Sequence, residues 1–219
     1  GFVGMQLDAV LEAYAVSALK TGMLASPDVI EAVADRLVLH NRISKVMDPV
    51  MVATSGARLL QDDAVATLTG VLLPLATLIT PNLPEAEVLA GHSIEGDDAI
   101  VDAVRELGDT FGTAVLIKGG HCAAVEAEDV LFDGECVCRI ATPRIEQPVS
   151  THGTGCSLSA AIAAALACGK PLLDAVVEGK AYVYESIRTG IWVGEAAAVL
   201  GTPARLPVEQ VRIDNVQPA

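Results

Sequence analysis

A glycine-rich turn followed by a helical run is the segment of this sequence best suited to bind an anion. Residues 151–156 read Thr-His-Gly-Thr-Gly-Cys, and small residues dominate positions 157–167. Glycines let a backbone turn approach a ligand closely, and the first amides of a helix favour negative charge. We therefore interpret Gly153, Thr154, Gly155 and Cys156 as a phosphate-binding turn. The alternative is a tight turn into a buried helix, with Cys156 as a small core residue.

Phosphoryl transfer depends mainly on positioning and charge neutralisation, and other residues of this chain suit that chemistry. Asp48 and Glu85 are candidate Mg²⁺ ligands, directly or through water, because Mg²⁺ prefers carboxylates and keeps several waters. Lys118 could bridge phosphate oxygens, and Cys156 could accept a proton, since a helix start favours its thiolate. Each has a structural alternative: Asp48 could cap a turn, Glu85 could simply serve a helix N-terminus, and Lys118 could be an exposed strand-end lysine.

Several other polar or flexible side chains have simpler interpretations. We expect His121 and His152 to stabilise loops rather than react. Judged by residue type alone, a methionine such as Met23 more often packs in the interior than contacts a ligand. Lys180 and Tyr184 lie four residues apart on one helix face, which favours surface packing.

Composition restricts the class of protein and of partner. With 219 residues and 52% hydrophobic composition, the chain can bury one sizeable core, and we expect one domain over residues 1–219. The formal net charge of −14 disfavours nucleic-acid and anionic-membrane partners, and 3% aromatic residues disfavour stacking on bases. No apolar run is long enough to span a membrane. Five cysteines without framework spacing suit a reducing cytoplasm.

Apolar strand-like runs alternate with helical patterns, which predicts βαβ units and a parallel sheet. Strands are predicted at 16–19, 45–47, 76–79 and 114–117, and helices at 27–37, 62–73, 84 onward, 97–107, from the glycine turn to about 167, and 172–188. The Asp133-Gly134 pair between two apolar runs predicts a hairpin over 129–140, as an antiparallel edge. The chain beyond about residue 194 is not assigned.

The candidate polar groups follow predicted strands, where ligands bind in open α/β sheets. Asp48, Asn82, Lys118 and the glycine turn each come after a strand-like run, and Glu85 lies close to Asn82. We therefore expect these residues to meet at one edge of the sheet.

Five runs, in order along the chain from about residue 19 to residue 188, resemble the hydroxymethylpyrimidine/phosphomethylpyrimidine kinases of the ribokinase-like superfamily. They are Leu-Lys-Thr-Gly-Met-Leu-Ala-Ser from residue 19, Met-Asp-Pro-Val-Met from 47, Leu-Ile-Thr-Pro-Asn-Leu-Pro-Glu-Ala from 78, Val-Leu-Ile-Lys-Gly-Gly-His from 115 and Thr-His-Gly-Thr-Gly-Cys-Ser-Leu-Ser-Ala-Ala-Ile-Ala from 151. The resemblance implies a ribokinase-like three-layer α/β/α fold with a mainly parallel central sheet and an antiparallel edge hairpin.

The resemblance also implies a reaction: ATP- and Mg²⁺-dependent phosphorylation of 4-amino-5-hydroxymethyl-2-methylpyrimidine and then of its monophosphate, in thiamine biosynthesis. Its partners would be the small-molecule pyrimidine and ATP, in the cytoplasm. Because many relatives dimerise, a homodimer is an open alternative to a monomer.

Site roles follow from the resemblance by position. The resemblance implies an anion hole at Gly153, Thr154, Gly155 and Cys156, with Cys156 as the catalytic base and Lys118 in contact with phosphate. It implies nucleotide contacts by Asn82, Glu85, Lys118 and Thr154, and metal binding by Asp48 and Glu85. It also implies a pyrimidine pocket at Met23, Val50 and Cys156. Many pyridoxal kinases carry a catalytic Asp where this chain has Cys156. Some dual-use pyridoxine/pyrimidine kinases share the cysteine, so a pyridoxal or pyridoxine kinase remains an alternative, as does a non-catalytic pyrimidine- or nucleotide-binding module.

Two departures from the family pattern affect these expectations. Family members begin with a strand, a glycine-rich substrate loop and a strand followed by a pyrimidine-reading glutamine, and Gly1 falls after those elements. We therefore expect that the N-terminal part is missing from this chain. The Gly-Pro-Val run usual near the C-terminus is replaced by Val-Gly-Glu-Ala-Ala-Ala-Val-Leu-Gly from residue 193, which leaves nucleotide contacts from that end open.

Overall fold

A computed structural model describes residues 1–51, 59–119, 125–195 and 197–216. Its helices are α1 Phe2–Ala13, α2 Pro27–Leu37, α3 Asp62–Thr67, α4 Leu83–Ala90, α5 Asp97–Phe111, α6 Thr154–Ala167 and α7 Leu172–Arg188. Its strands are β1 Ala18–Thr21, β2 Ser44–Met47, β3 Leu78–Ile79, β4 Ala114–Ile117, β5 Glu126–Phe132, β6 Val137–Pro143, β7 Ile191–Val193, β8 Ala197–Val199 and β9 Arg212–Val216.

The central sheet has the order β1-β2-β3-β4-β5-β6-β9. Strands β1 to β4 run parallel to one another, and β5, β6 and β9 continue the sheet with antiparallel pairs. This arrangement confirms the predicted α/β class and the hairpin. The hairpin is not the outermost element, because β9, from the unassigned end of the sequence, pairs with the outer side of β6.

Alternation along the strands builds a separate core on each face of the sheet. In β4 all four residues are buried, but Val115 and Ile117 pack with α2, α3 and α5. Ala114 and Leu116 pack instead with α6 and α7. Because side chains of a strand point to opposite faces in turn, this division places helices on both sides, which confirms the predicted three layers. Each buried Leu or Ile stabilises the fold by about 1.5–3 kcal/mol.

Helix starts and stops follow local chemistry. Helix α2 begins after Ser26 with Pro27 in its first turn and Asp28 close behind, as the sequence predicts. The helix predicted over 62–73 is wrong in its second half, where α3 passes into a π-helical turn over Leu68–Leu72 and a 3₁₀ turn over Leu73–Leu75. Pro74 has no amide hydrogen to continue an α-helical ladder, which gives a physical reason for the change.

Helix α1 and the β7–β8 ribbon lie outside the sheet. An ion pair between Arg36 Nε and Asp8 Oδ1 at 3.3 Å joins α1 to α2. Strands β7 and β8 form a separate two-stranded antiparallel ribbon. Among the helices of the described residues, none is both long and apolar enough to cross a bilayer.

Gly119, just beyond β4, packs closely against the backbone of the neighbouring strand β5. A Cβ built at Gly119 would lie within bonding distance of the Glu128 carbonyl oxygen of β5, so we expect Gly119→Ala to force the two strands apart. The loss in unfolding free energy should be about 2 kcal/mol or more, measured by urea denaturation. Gly70→Ala is the matched control, because nothing lies within 4 Å of its added Cβ. Equal stabilities of the two variants would contradict this account of the packing.

Candidate active site

The polar residues predicted to meet at one edge of the sheet do so in the structure. Asp48 follows β2, and its amide donates to the Thr21 carbonyl of β1 at 3.1 Å. Asn82 follows β3 and forms a parallel bridge with Lys118, which follows β4. These strand ends and the start of α6 border a cleft with a volume of about 550 Å³.

A largely buried ion pair lines this cleft. Lys118 Nζ donates to Asp48 Oδ1 at 2.6 Å, with the Lys118 side chain 12% exposed and that of Asp48 2%. The other carboxylate oxygen, Oδ2, lies 3.4 Å from the Ser159 hydroxyl of α6. That hydroxyl also lies 3.1 Å from the Gly155 carbonyl oxygen. One set of polar contacts therefore joins the residues that follow β2 and β4 to helix α6.

Glu85 lies beside this pair and also caps a helix. Its Oε2 accepts the Asn82 amide at 2.9 Å, and Asn82 Oδ1 accepts the Glu85 amide at 2.8 Å, which completes a capping box at the start of α4. Its Oε1 accepts the Met51 amide at 3.2 Å, and Lys118 Nζ is 4.0 Å from Oε2. Burial raises the pKa of Glu85, while Lys118 and the backbone amides act in the opposite direction.

The glycine turn lies directly against the ion pair. Gly153, with φ +87°, precedes the first helical residue, Thr154, and the first i→i−4 bond runs from the Ser157 amide to the Gly153 carbonyl. The amides of Gly155 and Cys156 therefore have no intrahelical acceptor. A Cβ at Gly155 would lie 3.3 Å from Lys118 Nζ, so a side chain there would crowd the lysine. The turn and the ammonium group can act on one anion.

A second buried ion pair in the cleft was missed by the sequence analysis. Lys180 is 6% exposed, so its interpretation as a surface-packing residue is wrong. Its Nζ donates to Asp129 Oδ2 of β5 at 2.7 Å, and Asp129 Oδ1 accepts the Gly119 amide at 2.9 Å. The available signal was the helix face of Lys180, because the apolar residues Val176, Val177 and Val183 lie three or four positions from it.

The structure brings most of the predicted site residues together. Those lining the cleft are Asp48, Val50, Asn82, Glu85, Lys118, Gly153, Thr154, Gly155 and Cys156. Met23 is not among the lining residues in the described part of the chain, and it is 52% exposed after β1. His152 lies in the cleft lining, and His121 lies outside the described residues. The individual roles assigned to these residues stay predictions.

Within the described residues, no group of three or more His, Cys, Asp or Glu side chains is arranged to hold a metal ion. Asp48 and Glu85 are the two carboxylates next to Lys118 in the cleft. They provide oxygen donors of the kind that Mg²⁺ prefers, in a number that leaves most of its coordination to water and phosphate.

Residues 1–200 match the family model described as phosphomethylpyrimidine kinase. A hydroxymethylpyrimidine/phosphomethylpyrimidine kinase of Rhizobium meliloti is 49% identical over 186 residues, which are 84% of this chain and 69% of that protein. The thiamine biosynthesis bifunctional protein ThiED of Geobacter sulfurreducens is 46% identical over 187 residues. The chain spans only 38% of that bifunctional relative.

Solved structures of related kinases share the fold. A phosphomethylpyrimidine kinase from Clostridium difficile 630 matches with a TM-score of 0.73 at 36% identity, covering 84% of this chain and 74% of that chain. The pyridoxal kinase from Staphylococcus aureus in complex with AMP-PCP matches with a TM-score of 0.85 at 29% identity, covering 97% of this chain and 77% of that one. The fold is thus that of the ribokinase-like vitamin kinases, as predicted. Within that class, the chain belongs to the phosphomethylpyrimidine kinase family.

Removing the Lys118 ammonium should destabilise the fold, because Asp48 would remain as a buried charge. We expect Lys118→Met to lower the unfolding free energy by about 3 kcal/mol and the double variant Asp48→Asn/Lys118→Met to recover part of that loss. Arg205→Met is the control, since Arg205 forms an exposed pair with Glu209, and should change stability by less than about 0.5 kcal/mol. An equally unstable double variant would argue against charge burial as the cause.

The raised pKa of Glu85 predicts a distinctive pH dependence of stability. A raised folded-state pKa stabilises the fold below the unfolded pKa, and this contribution is lost as pH rises through the folded value. The stability of wild type relative to Glu85→Gln should therefore fall with rising pH, measured by urea unfolding across the carboxyl range. Glu126→Gln should show the opposite slope, because Arg212 lowers the pKa of Glu126. Parallel curves for wild type and Glu85→Gln would contradict the burial effect.

Proposed function

We propose that this chain forms the kinase site that transfers a phosphoryl group from ATP to 4-amino-5-hydroxymethyl-2-methylpyrimidine and then to its monophosphate, for thiamine biosynthesis. The observation that carries this proposal is the buried Asp48–Lys118 pair lying against the glycine turn in one cleft. The names of relatives at 49% and 46% identity support the substrate class.

In the proposed reaction, a substrate oxygen attacks the γ-phosphorus of ATP: the hydroxyl oxygen in the first phosphorylation and a phosphate oxygen of the monophosphate in the second. A new O–P bond forms, the bond to the β,γ-bridging oxygen breaks, and ADP leaves with that electron pair. The amides of the glycine turn face the charge that develops on the γ-phosphoryl oxygens. Lys118 uses one of its three hydrogens on Asp48, so two remain for phosphate. In the first phosphorylation, the Cys156 thiolate accepts the hydroxyl proton.

The proposed ATP complex includes Mg²⁺, which neutralises charge on the nucleotide phosphates. The contact of Asp48 Oδ2 with the Ser159 hydroxyl is long, at 3.4 Å, so this oxygen can also serve as a ligand for the cation. Both oxygens of Glu85 already accept backbone amides, so Glu85 would hold the ion through water. Asn82 Oδ1 and the Asn82 backbone both serve the helix cap, so the proposed nucleotide contact uses the side-chain nitrogen of Asn82, Nδ2.

Substrate recognition is proposed for the wall that carries Val50 and Cys156, which face the same cleft as Lys118. Met23 lies outside the cleft lining, so it would contact the pyrimidine only after a change in its position. The acidic surface supports small-molecule partners rather than nucleic acid or membrane. Cytoplasmic location and a homodimer stay predictions.

Phosphorylation of pyridoxal is the second candidate function. The TM-score of 0.85 to the Staphylococcus aureus pyridoxal kinase favours it. The Rhizobium pyrimidine kinase has a higher sequence identity, 49%, and favours the first candidate.

The proposed function is tested by measuring ADP release from Mg²⁺-ATP with hydroxymethylpyrimidine, its monophosphate and pyridoxal offered separately. Turnover of both pyrimidines with little turnover of pyridoxal would support the proposal. Turnover mainly of pyridoxal would favour the second candidate. Binding of AMP-PCP, without ADP release in the presence of any of the three substrates, would indicate a non-catalytic nucleotide-binding module.

Replacing Cys156 tests the proposed base. We expect Cys156→Ala to lower kcat by about 100-fold or more, while AMP-PCP affinity measured by calorimetry changes little. Cys168→Ala is the control, because Cys168 is also an exposed cysteine but caps the opposite end of α6. Wild-type turnover by Cys156→Ala would remove this thiol from the mechanism.

A further inference from the structure

The Asp129–Lys180 pair has no role in the reaction proposed above, although both residues line the same cleft. Lys180 Nζ lies 2.7 Å from Asp129 Oδ2, and the two residues are 6% and 4% exposed. Removing two charges from water is costly, and well-packed apolar residues could join α7 to β5 as stably. The polar pair therefore calls for a role beyond holding these two elements together.

The second oxygen of Asp129 indicates that role. Asp129 Oδ1 accepts the backbone amide of Gly119 at 2.9 Å. The backbone pairing of β4 with β5 ends at Ile117 and Val130. The Asp129 side chain thus extends the contact between β4 and β5 beyond their last backbone pair, as far as Gly119, which directly follows Lys118.

The backbone around Lys118 is held from both sides. On the β3 side, the Lys118 amide donates to the Pro81 carbonyl at 2.8 Å. On the β5 side, the absent Cβ of Gly119 makes room for the Glu128 carbonyl, and Asp129 binds the Gly119 amide. These contacts set where the Lys118 side chain starts, and its ammonium ends on Asp48 at 2.6 Å.

We propose that Asp129 and Lys180 form a positioning pair for Lys118. Asp129 holds the Gly119 amide, and Lys180 balances and orients the Asp129 carboxylate from α7. Neither residue touches the reacting groups in this role, which rests on the proposed kinase function. Because α7 packs against α6, which begins at the glycine turn, the pair also ties Lys118 to the helices that carry the turn.

Two double variants distinguish this positioning role from a role that only holds α7 against β5. Asp129→Asn/Lys180→Met removes both charges but keeps a side-chain oxygen for the Gly119 amide. Asp129→Ala/Lys180→Met removes both charges and that oxygen. We expect the Ala variant to have a kcat about 10- to 100-fold below that of the Asn variant, after correction for the folded fraction, because small displacements of a catalytic group are costly.

Asp133→Ala provides the control for loss of stability. Asp133 Oδ1 accepts the amides of Glu135 and Cys136 in the turn of the same hairpin, outside the cleft. Its variant should keep the wild-type kcat per folded molecule. Equal kcat values for the two double variants would overturn the positioning role. If the values were equally low, Lys180 would instead act on the substrates itself.

Amide hydrogen exchange at Gly119, measured by NMR, tests the pair without catalysis. Exchange should be slow in wild type and in Asp129→Asn/Lys180→Met, and at least tenfold faster in Asp129→Ala/Lys180→Met. Equal exchange rates in the two double variants would overturn the proposal. Absence of wild-type ADP release would count against the kinase function alone, because the exchange comparison would still report on the contact between Asp129 and Gly119.

Discussion

The burial of one lysine–aspartate pair is the constraint on which the rest of this site depends. Asp48 follows β2 and Lys118 follows β4, so β3 lies between the strands that carry the two charges. A buried charge without its partner is strongly destabilising, so the pair favours a strand order and register that bring the ends of β2 and β4 within reach of each other. A Cβ at Gly155 would lie 3.3 Å from the ammonium group, so the lysine would have to shift by a few tenths of an ångström to admit a side chain there. The sheet, the ion pair and the turn thus constrain one another.

Charge in the cleft is balanced locally, in contrast to the surface. The chain carries a formal net charge of −14, which repels an incoming nucleotide at long range. Among the described residues, the cleft lining has three carboxylates, Asp48, Glu85 and Asp129, and three cationic side chains, Lys118, Arg144 and Lys180. Within it, Lys118 lies next to Asp48 and Glu85, and Lys180 next to Asp129. Because each lysine is paired with a carboxylate, phosphate can be bound by the amides at the start of α6 and by the two Lys118 hydrogens that Asp48 does not use. Directed donors, rather than net positive charge, would bind the anion.

Periodicity and turn chemistry predict most of the fold, and long-range pairing marks the limit of sequence reasoning. The four residues of β4 and the full length of α7 follow from their apolar patterns, since local burial determines them. Strand β9 escapes prediction because four of its five residues are exposed and its pattern carries no buried face. In the site, the rule that polar groups gather beyond strand ends locates Asp48 and Lys118. Asp129 lies inside a strand, 51 positions from Lys180, and no local signal joins them.

The burial of the charges and the exposure of Cys156 divide the proposed site into two parts. Asp48, Glu85 and Lys118 are held by backbone and side-chain contacts before any ligand arrives, so their geometry is preorganised. Cys156 is exposed, and its amide rather than its thiol belongs to the rigid turn. In the proposed reaction, the thiol would leave water only when a substrate covers it beside Val50. Proton acceptance would therefore be coupled to substrate binding, whereas phosphate binding would depend on a framework that the fold already provides.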